Sequence, residues 1–345
     1  MRRVDYLIVA ENSSAGQKAY NNQRKRMLEE LGYSVELISF SIPTVRITLD
    51  FLRVAYTYKK NLEEYLKGVK PEVIEFCCPA TIILQNKKMI KKYKTIVSFD
   101  LPFGVNIWHF GSTILHYREK KKYHDVDMVI TWTRYGKQFL TDKYAIEEEK
   151  IIWIPYTLHP DEVVYKIADD GFAISYCSRE MRRKGLDILV KAWSKHHKNK
   201  KLVVAGVNEE DGAAYLKKKK VKIRDNIEFA GMLRREEYLS MLAKSSFFIS
   251  ASRFEDFGIA VLEALSYGKP VAATPTIGPS EFLREINKNV ISASFSPVDL
   301  ANTIEYIEEH TGDEKLTKDI ERYGDNYKYS DIKERLKKDV LDVLL

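Results

Sequence analysis

Two clusters in the second half of the chain have the residue types and spacing to grip a phosphorylated ligand. The first is Ser178-Arg179-Glu180-Met181-Arg182-Arg183-Lys184-Gly185, after an apolar run ending at Cys177. Arg179 and Lys184 lie five positions apart around a loop, so both cations could converge on one anion. A guanidinium grips phosphate bidentately, and an ammonium adds a point charge. A solvated basic turn would carry the same residues. The second cluster is Glu255-Asp256-Phe257-Gly258-Ile259-Ala260-Val261-Leu262-Glu263-Ala264, after an apolar run ending at Ser250. Gly258 permits close backbone approach, and a helix starting there offers free amides and a positive dipole end to a diphosphate. Glu263 sits among apolar neighbours, where a carboxylate needs donors. A vicinal ribose diol would supply two; an ion pair across the domain would also serve. Glu255 lies about 12 Å from Glu263 at helical rise, the span of a sugar–diphosphate–ribose ligand, or it is simply an acid at a helix N-terminus. A third loop, Pro275-Thr276-Ile277-Gly278-Pro279-Ser280-Glu281, offers Ser280 or Glu281 as a helix cap.

These loops need strands to hold them. Apolar runs of strand length recur at 4–10, 34–39, 72–77, 95–99 and 128–132, and again at 172–177, 202–205, 227–230, 247–250 and 271–273. Segments of helical character separate them, including 15–31, 186–195, 236–243 and 259–267. Short buried strands alternating with helices predict parallel sheets covered on both faces. Two such series predict two doubly wound domains, with the seam at 154–160. In such sheets ligands bind beyond the carboxyl ends of strands. The last segment, 330–345, reads as an amphipathic helix capped by Ser330, with Ile332, Leu336, Val340 and Val343 near one face.

Composition narrows the function class. The 345 residues carry 56 Lys and Arg against 49 Asp and Glu, a net charge of +7. Met1–Tyr156 holds 25 basic and 18 acidic residues and Thr157–Leu345 holds 31 of each, so the whole excess lies in the first half. That asymmetry points to an anionic partner for the first half. Lysines cluster at 87–94 and 120–122, and the apolar stretch 51–56 has basic flanks; the partner could be nucleic acid, an acidic lipid surface or a phosphorylated substrate, or the lysines form a solvated surface. Cys77, Cys78 and Cys177 show no CxxC spacing, which argues for a reducing, cytoplasmic compartment and against a zinc knuckle. No Asp-x-Asp pair or histidine spacing suggests a metal site. Nucleic-acid binding lacks aromatic–basic interleaving, and a dehydrogenase lacks G-x-G-x-x-G after the first strand.

Arg179, Lys184-Gly185, Glu255, Phe257-Gly258, Leu262-Glu263-Ala264 and Gly268-Lys269-Pro270-Val271 occur in one order, preceded by Ile227-Glu228-Phe229-Ala230-Gly231. This pattern resembles the signature of retaining glycosyltransferases of the GT-B fold, in particular the large family four (glycosyl transferases group 1). The resemblance covers most of 157–293. It implies an α/β chain of two doubly wound, Rossmann-like domains facing a cleft. Residues 1–156, joined by a C-terminal helix 330–345 that crosses back, would form the acceptor domain; residues 157–329 would form the nucleotide-sugar donor domain.

It further implies a hexosyltransferase-class enzyme that moves a sugar from a nucleoside-diphosphate sugar, of UDP or GDP type, to a glycan or lipid-linked acceptor hydroxyl. No cofactor and no metal would be needed. Arg179 and Lys184 would hold the diphosphate, Glu263 the ribose and Glu255 the transferred sugar. The amides of Phe257, Gly258 and Ile259 would line the phosphate and sugar. The family's Gly-Gly loop reads Asn12-Ser13-Ser14-Ala15-Gly16-Gln17 here, with Gly16 retained. In place of a histidine after the fourth strand stands Ser98-Phe99-Asp100, where Asp100 is the nearest polar candidate and His109 lies further along. The expected location is cytoplasmic, peripheral at the inner membrane face. A sugar-nucleotide epimerase, or a non-catalytic nucleotide-sugar binder, is the alternative.

Overall fold

The computed structural model describes the chain apart from residues 11–14, 40–47, 99–111, 163–168, 178–179, 197–199, 256 and 326. Two compact units form: Met1–Tyr156 together with Ser330–Leu345, and Thr157–Tyr329.

The first unit is built on six parallel strands: β1 (Arg2–Ala10), β2 (Val35–Ser39), β3 (Val69–Phe76), β4 (Lys94–Ser98), β5 (Met128–Thr131) and β6 (Ile151–Trp153). Their order across the sheet is β2-β1-β3-β4-β5-β6, every pair parallel. The apolar run Tyr6–Ala10 is buried residue after residue, because both faces of the sheet are covered. Leu7, Val9, Ile74, Phe76, Val97 and Val129 pack with Tyr58, Leu62 and Tyr123 into one core. β6 has no counterpart among the apolar runs read from sequence. It is only three residues long and follows the charged run Glu147–Lys150, so its pairing with β5, not its own pattern, makes it a strand.

The final segment is helical from Tyr329 to Leu336 and then widens into a π-turn over Lys337–Leu341. Ser330 therefore lies inside the first turn and is not its cap; its hydroxyl donates to Asp331 Oδ1 at 2.9 Å. The extra residue in a π-turn advances the helical register. Ile332, Leu336, Val340 and Leu341 are buried while Val343 turns outward, 68% exposed, against the expected stripe. Arg335 donates to the carbonyl of Trp153 at 2.5 Å and lies 4.6 Å from its ring centroid, with Arg134 4.5 Å from the same ring. Lys333 pairs with Glu30 at 2.7 Å. Residues 330–345 add four acidic and four basic side chains, so the first unit keeps the +7 and the second is neutral.

The two lysine clusters meet on one edge. Lys94 opens β4, Lys150 precedes β6, and Lys120–Lys122 end the helix that leads into β5, which places all of them at the amino ends of these strands. Lys122 donates to the carbonyl of Gln85, and Lys150 to that of His124. The stretch beside Tyr56 behaves differently: Val54, Ala55 and Tyr58 belong to the core, leaving Tyr56 and basic residues outside. Its apolar side is therefore spent on folding. No described helix is long and apolar enough to cross a membrane.

The second unit has five parallel strands: β7 (Phe172–Tyr176), β8 (Lys201–Ala205), β9 (Ile227–Gly231), β10 (Phe247–Ser250) and β11 (Val271–Ala273). Their order is β11-β10-β7-β8-β9. The chain winds outward from β7 to β9, then returns to the other side of β7. The loops leaving β7 and β10 therefore diverge, which opens a crevice at their carboxyl ends. Gly185 marks where these loops touch: it has φ +67°, and a Cβ there would lie 1.8 Å from the carbonyl oxygen of Ala251. Gly171, at φ +77°, has nothing within 4 Å of the equivalent position. Gly171→Ala should thus cost only the left-handed penalty, about 1 kcal/mol, while Gly185→Ala should cost roughly 3 kcal/mol or more. Equal losses of melting temperature in the two variants would dismiss the close approach.

Candidate active site

The crevice between β7 and β10 gathers charges from loops far apart in sequence. Lys184 stands in the loop that follows β7, and its Nζ donates to Glu255 Oε2 at 2.5 Å. Ser252 Oγ donates to the same oxygen at 3.1 Å. Arg183 brings Nη1 to 3.6 Å from Glu255 Oε1 and donates to the carbonyl of Phe254 at 3.2 Å. The Lys184 and Glu255 side chains are only 12% and 14% exposed. Burial alone would raise the Glu255 carboxyl, but Lys184 and then Arg183 outweigh it and hold the group below its ordinary range. Arg179 lies outside the described residues.

A second ion pair braces the same loops. Arg253 grips Asp187 bidentately at 2.8 and 2.7 Å, and Tyr215 donates to Asp187 at 2.9 Å. Burial works against the Asp187 charge, yet these donors hold its carboxyl down. Arg253 also donates from its backbone to the carbonyl of Arg183 at 2.7 Å and from its side chain to that of Arg182 at 2.8 Å. The loop bearing Lys184 is thus tied to the loop bearing Glu255 from several sides. Arg183, Asp187, Ser252 and Arg253 were not singled out from sequence. Only their proximity to Lys184 and Glu255 along the chain hinted at them.

Gly258, at φ +83°, precedes the helix Ile259–Ser266, and a Cβ on it would sit 2.7 Å from Pro279 Cγ. The first amides of any helix lack intrahelical acceptors, so the backbone of Gly258 and Ile259 is placed to meet an anion. Phe257 contributes differently: its ring is buried and packs edge-on against Phe282 at 4.9 Å, so only its backbone is a candidate for ligand contact. The amide of Gly278 donates to the carbonyl of Glu255 at 3.2 Å. The helix carrying Gly278 starts at Ile277, so Ser280 and Glu281 lie within it and neither is its cap.

Glu263 is 2% exposed on the buried helix Ile259–Ser266. Only the part of the Glu255–Glu263 spacing after Gly258 is helical, so the 12 Å helical estimate does not describe it. Arg235 Nη1 donates to Glu263 Oε1, and Arg235 Nε donates to Glu162 Oε1 at 3.0 Å. Tyr267 donates to the carbonyl of Glu162, and the buried Tyr238 hydroxyl, close enough to Glu263 to feel its charge, makes no hydrogen bond among the described residues. Burial raises the Glu263 carboxyl, and Arg235 opposes this without reversing it. The ion pair across the domain, one of the two expectations for Glu263, is present. Its partners Arg235 and Glu162 had no sequence signal, being 28 and 101 positions away.

In the first unit Gly16 lies half-buried in the helix Ala15–Glu30. Asp100, His109 and residues 12–14 lie outside the described residues. A buried network not foreseen from sequence stands at the ends of β3 and β4. Tyr6 donates to Glu75 Oε2 at 2.6 Å, Arg24 Nε lies 3.6 Å from Glu75 Oε1, Arg24 Nη2 donates to Tyr20 at 2.6 Å, and the Tyr20 and Ser98 hydroxyls are 2.6 Å apart. Tyr20 stacks on Trp132 at 3.9 Å. Burial raises the Tyr6 and Tyr20 hydroxyls and the Cys77 thiol, which keeps them neutral. Among the described residues no group of three or more His, Cys, Asp or Glu converges as a metal site.

Comparison with known proteins places these features. Residues 161–327 match the glycosyl transferases group 1 family. An uncharacterised glycosyltransferase of Methanocaldococcus jannaschii is 29% identical over 169 residues, 48% of this chain and 45% of that protein. The chain thus spans about half the length, or less, of the first curated relatives it matches. Sucrose-phosphate synthase from Thermosynechococcus elongatus superposes with a TM-score of 0.81 at 15% identity, covering 99% of each chain. The catalytic domain of starch synthase IV from Arabidopsis thaliana, bound to ADP and acarbose, gives 0.72 at 14% identity, again over 99% of each. These likenesses establish the fold, GT-B. The match to the glycosyl transferases group 1 family lies in residues 161–327, just under half of the chain.

Proposed function

We propose that the protein is a retaining glycosyltransferase that moves a sugar from a nucleoside-diphosphate sugar of UDP or GDP type to an acceptor hydroxyl. The observation that carries this reading is the Lys184–Glu255 pair at the divergence of the loops after β7 and β10, beside the amino end of the helix Ile259–Ser266. A starch synthase of the same fold holds ADP. Negative charge grows on a departing diphosphate. Lys184, Arg179 and the free amides of Gly258 and Ile259 would stabilise it as fixed electrostatic groups. Glu255 would orient the sugar, and Glu263 would accept from the ribose diol. Acceptor attack occurs on the face from which the diphosphate leaves, with a phosphate oxygen taking the acceptor proton, so no separate base is invoked. Lys184 and the helix end supply the countercharge that a metal would otherwise provide.

The basic edge of the first unit supports a second part of the reading, attachment to an anionic membrane that bears the acceptor. Lys88, Lys91, Lys92, Lys94 and Lys121 are exposed there. The support rests on charge alone, since the apolar side of the helix Thr48–Gly68 is buried.

A melting-temperature screen with UDP, GDP and ADP should single out one nucleotide, whose binding adds about 2.7 kcal/mol at 100 times its Kd. With its sugar conjugate, Lys184→Ala should lower turnover roughly 10²-fold or more, and excess EDTA should leave the parent rate unchanged; near-normal turnover of Lys184→Ala would sink the assignment. In stability, the depressed Glu255 carboxyl contributes above its ordinary 4.5, and this contribution is lost as pH falls through the lower folded value. Lys184→Met should cost about 3 kcal/mol near neutrality. That deficit should shrink as pH falls, because the buried carboxyl deprived of Lys184 takes up its proton sooner; a deficit independent of pH would mean that Lys184 does not hold Glu255. Replacing the five exposed lysines by Gln should abolish binding to acidic vesicles at low salt, at about 1 kcal/mol per lysine, and absence of binding by the parent would rule out the membrane reading.

A further inference from the structure

We propose that Arg235 is the positioning residue of the nucleoside half of the site: it fixes the orientation and charge of Glu263 so that this carboxylate accepts from both hydroxyls of a ribose. The inference rests on the reading of Glu263 as the ribose acceptor and adds the group on which that role depends.

Glu263 stands on a helix whose neighbouring residues Val261, Leu262, Ala264 and Leu265 are all buried. An ionised carboxylate in such surroundings is costly without a compensating charge. Arg235 supplies it from another element, as the first residue of the helix Arg235–Lys244. Its guanidinium is forked between two carboxylates, Nη1 on Glu263 and Nε on Glu162. Glu162 belongs to the turn Pro160–Glu162, whose end is held by the Tyr267 hydroxyl on the Glu162 carbonyl. Arg235 is therefore anchored on one side by Glu162 and orients Glu263 with the other. About a third of its side chain is exposed, so this pair lies at a rim and not in the core.

The remaining groups facing Glu263 do not replace it. The buried Tyr238 hydroxyl lies near the carboxylate but makes no hydrogen bond to it, and Tyr176 packs edge-on against Tyr238 at 5.4 Å. Burial raises both phenols, so neither changes charge near neutrality. Glu162 adds a negative charge that pushes Glu263 toward its protonated form. Arg235 is the positive charge opposing both burial and Glu162. An ionised Glu263 accepts from both hydroxyls of a vicinal diol. A protonated one loses part of its accepting capacity.

The test uses the full chain and the nucleoside diphosphate that most raises the parent's melting temperature, alongside its 2′-deoxy analogue, with Kd measured from about pH 6 to pH 8. The parent should prefer the ribonucleotide roughly tenfold, with little dependence on pH. In Arg235→Met the preference should fall toward unity, and ribonucleotide affinity should weaken as pH falls through the raised Glu263 value. Arg235→Lys should restore pH independence while recovering only part of the preference, because an ammonium supplies the charge without the planar, fixed fork that orients Glu263 against Glu162. Glu162→Gln, which leaves the Arg235–Glu263 contact in place, should keep the preference and hold affinity to lower pH. An Arg235→Met protein with the parent's preference and pH profile would overturn the inference. If the parent binds no nucleoside diphosphate, or binds ribose and deoxyribose forms equally, the reading of Glu263 fails and the inference with it.

Discussion

The second unit depends on one close approach, Gly185 against the carbonyl of Ala251. Two loops that leave neighbouring parallel strands in opposite directions would ordinarily separate. Here they touch, because a glycine in the left-handed region leaves no side chain between them. Lys184 is adjacent to that contact on one loop and Ser252 on the other. Their pairing with Glu255 follows from the backbone geometry. A bulkier residue at 185 would force the two loops apart at the point where Lys184 meets Glu255.

That constraint explains the division between what the sequence discloses and what it conceals. Apolar runs of four residues or more became strands, since a parallel sheet covered on both faces leaves no polar alternation to blur them. β6 stayed hidden because Ile151–Trp153 runs straight into the expected seam at 154–160 and carries no helix after it to mark a further strand–helix unit. Lys184, Glu255, Gly258 and Glu263 were legible as types and spacings. The braces around them were not: Arg253 with Asp187 are 66 positions apart, and Arg235 with Glu162 are 73. Such pairs are set by strand order, which brings β10 beside β7 although β8 and β9 intervene in sequence. The π-turn at Lys337–Leu341 was equally invisible, and past it Val343 points outward.

Charge is distributed on a different principle in each unit. In the second unit, neutral in total, cations and carboxylates are paired within a few ångströms, Lys184 with Glu255, Arg253 with Asp187 and Arg235 with Glu263. Its electrostatics act at short range and through low-dielectric surroundings, where salt screens weakly. The first unit carries its excess on an exposed lysine edge, where fields reach further at low salt and fade at high salt. Its own buried charges, Arg24 and Glu75, are turned inward and knit with Tyr6, Tyr20 and Ser98.

The first unit is also discontinuous, closed by residues 330–345 that press Arg335 onto Trp153 and bury Ile332, Leu336, Val340 and Leu341. During translation the whole of Thr157–Tyr329 is made between the two parts. At ribosomal speeds of about 5–20 residues per second, the six-stranded sheet waits roughly 10–40 s for its last element. In that interval the surface that Leu336 and Val340 will cover stays open to water and to chaperones. The second unit, continuous in the chain, meets no such delay. The polypeptide that begins first is thus the one whose fold is completed last.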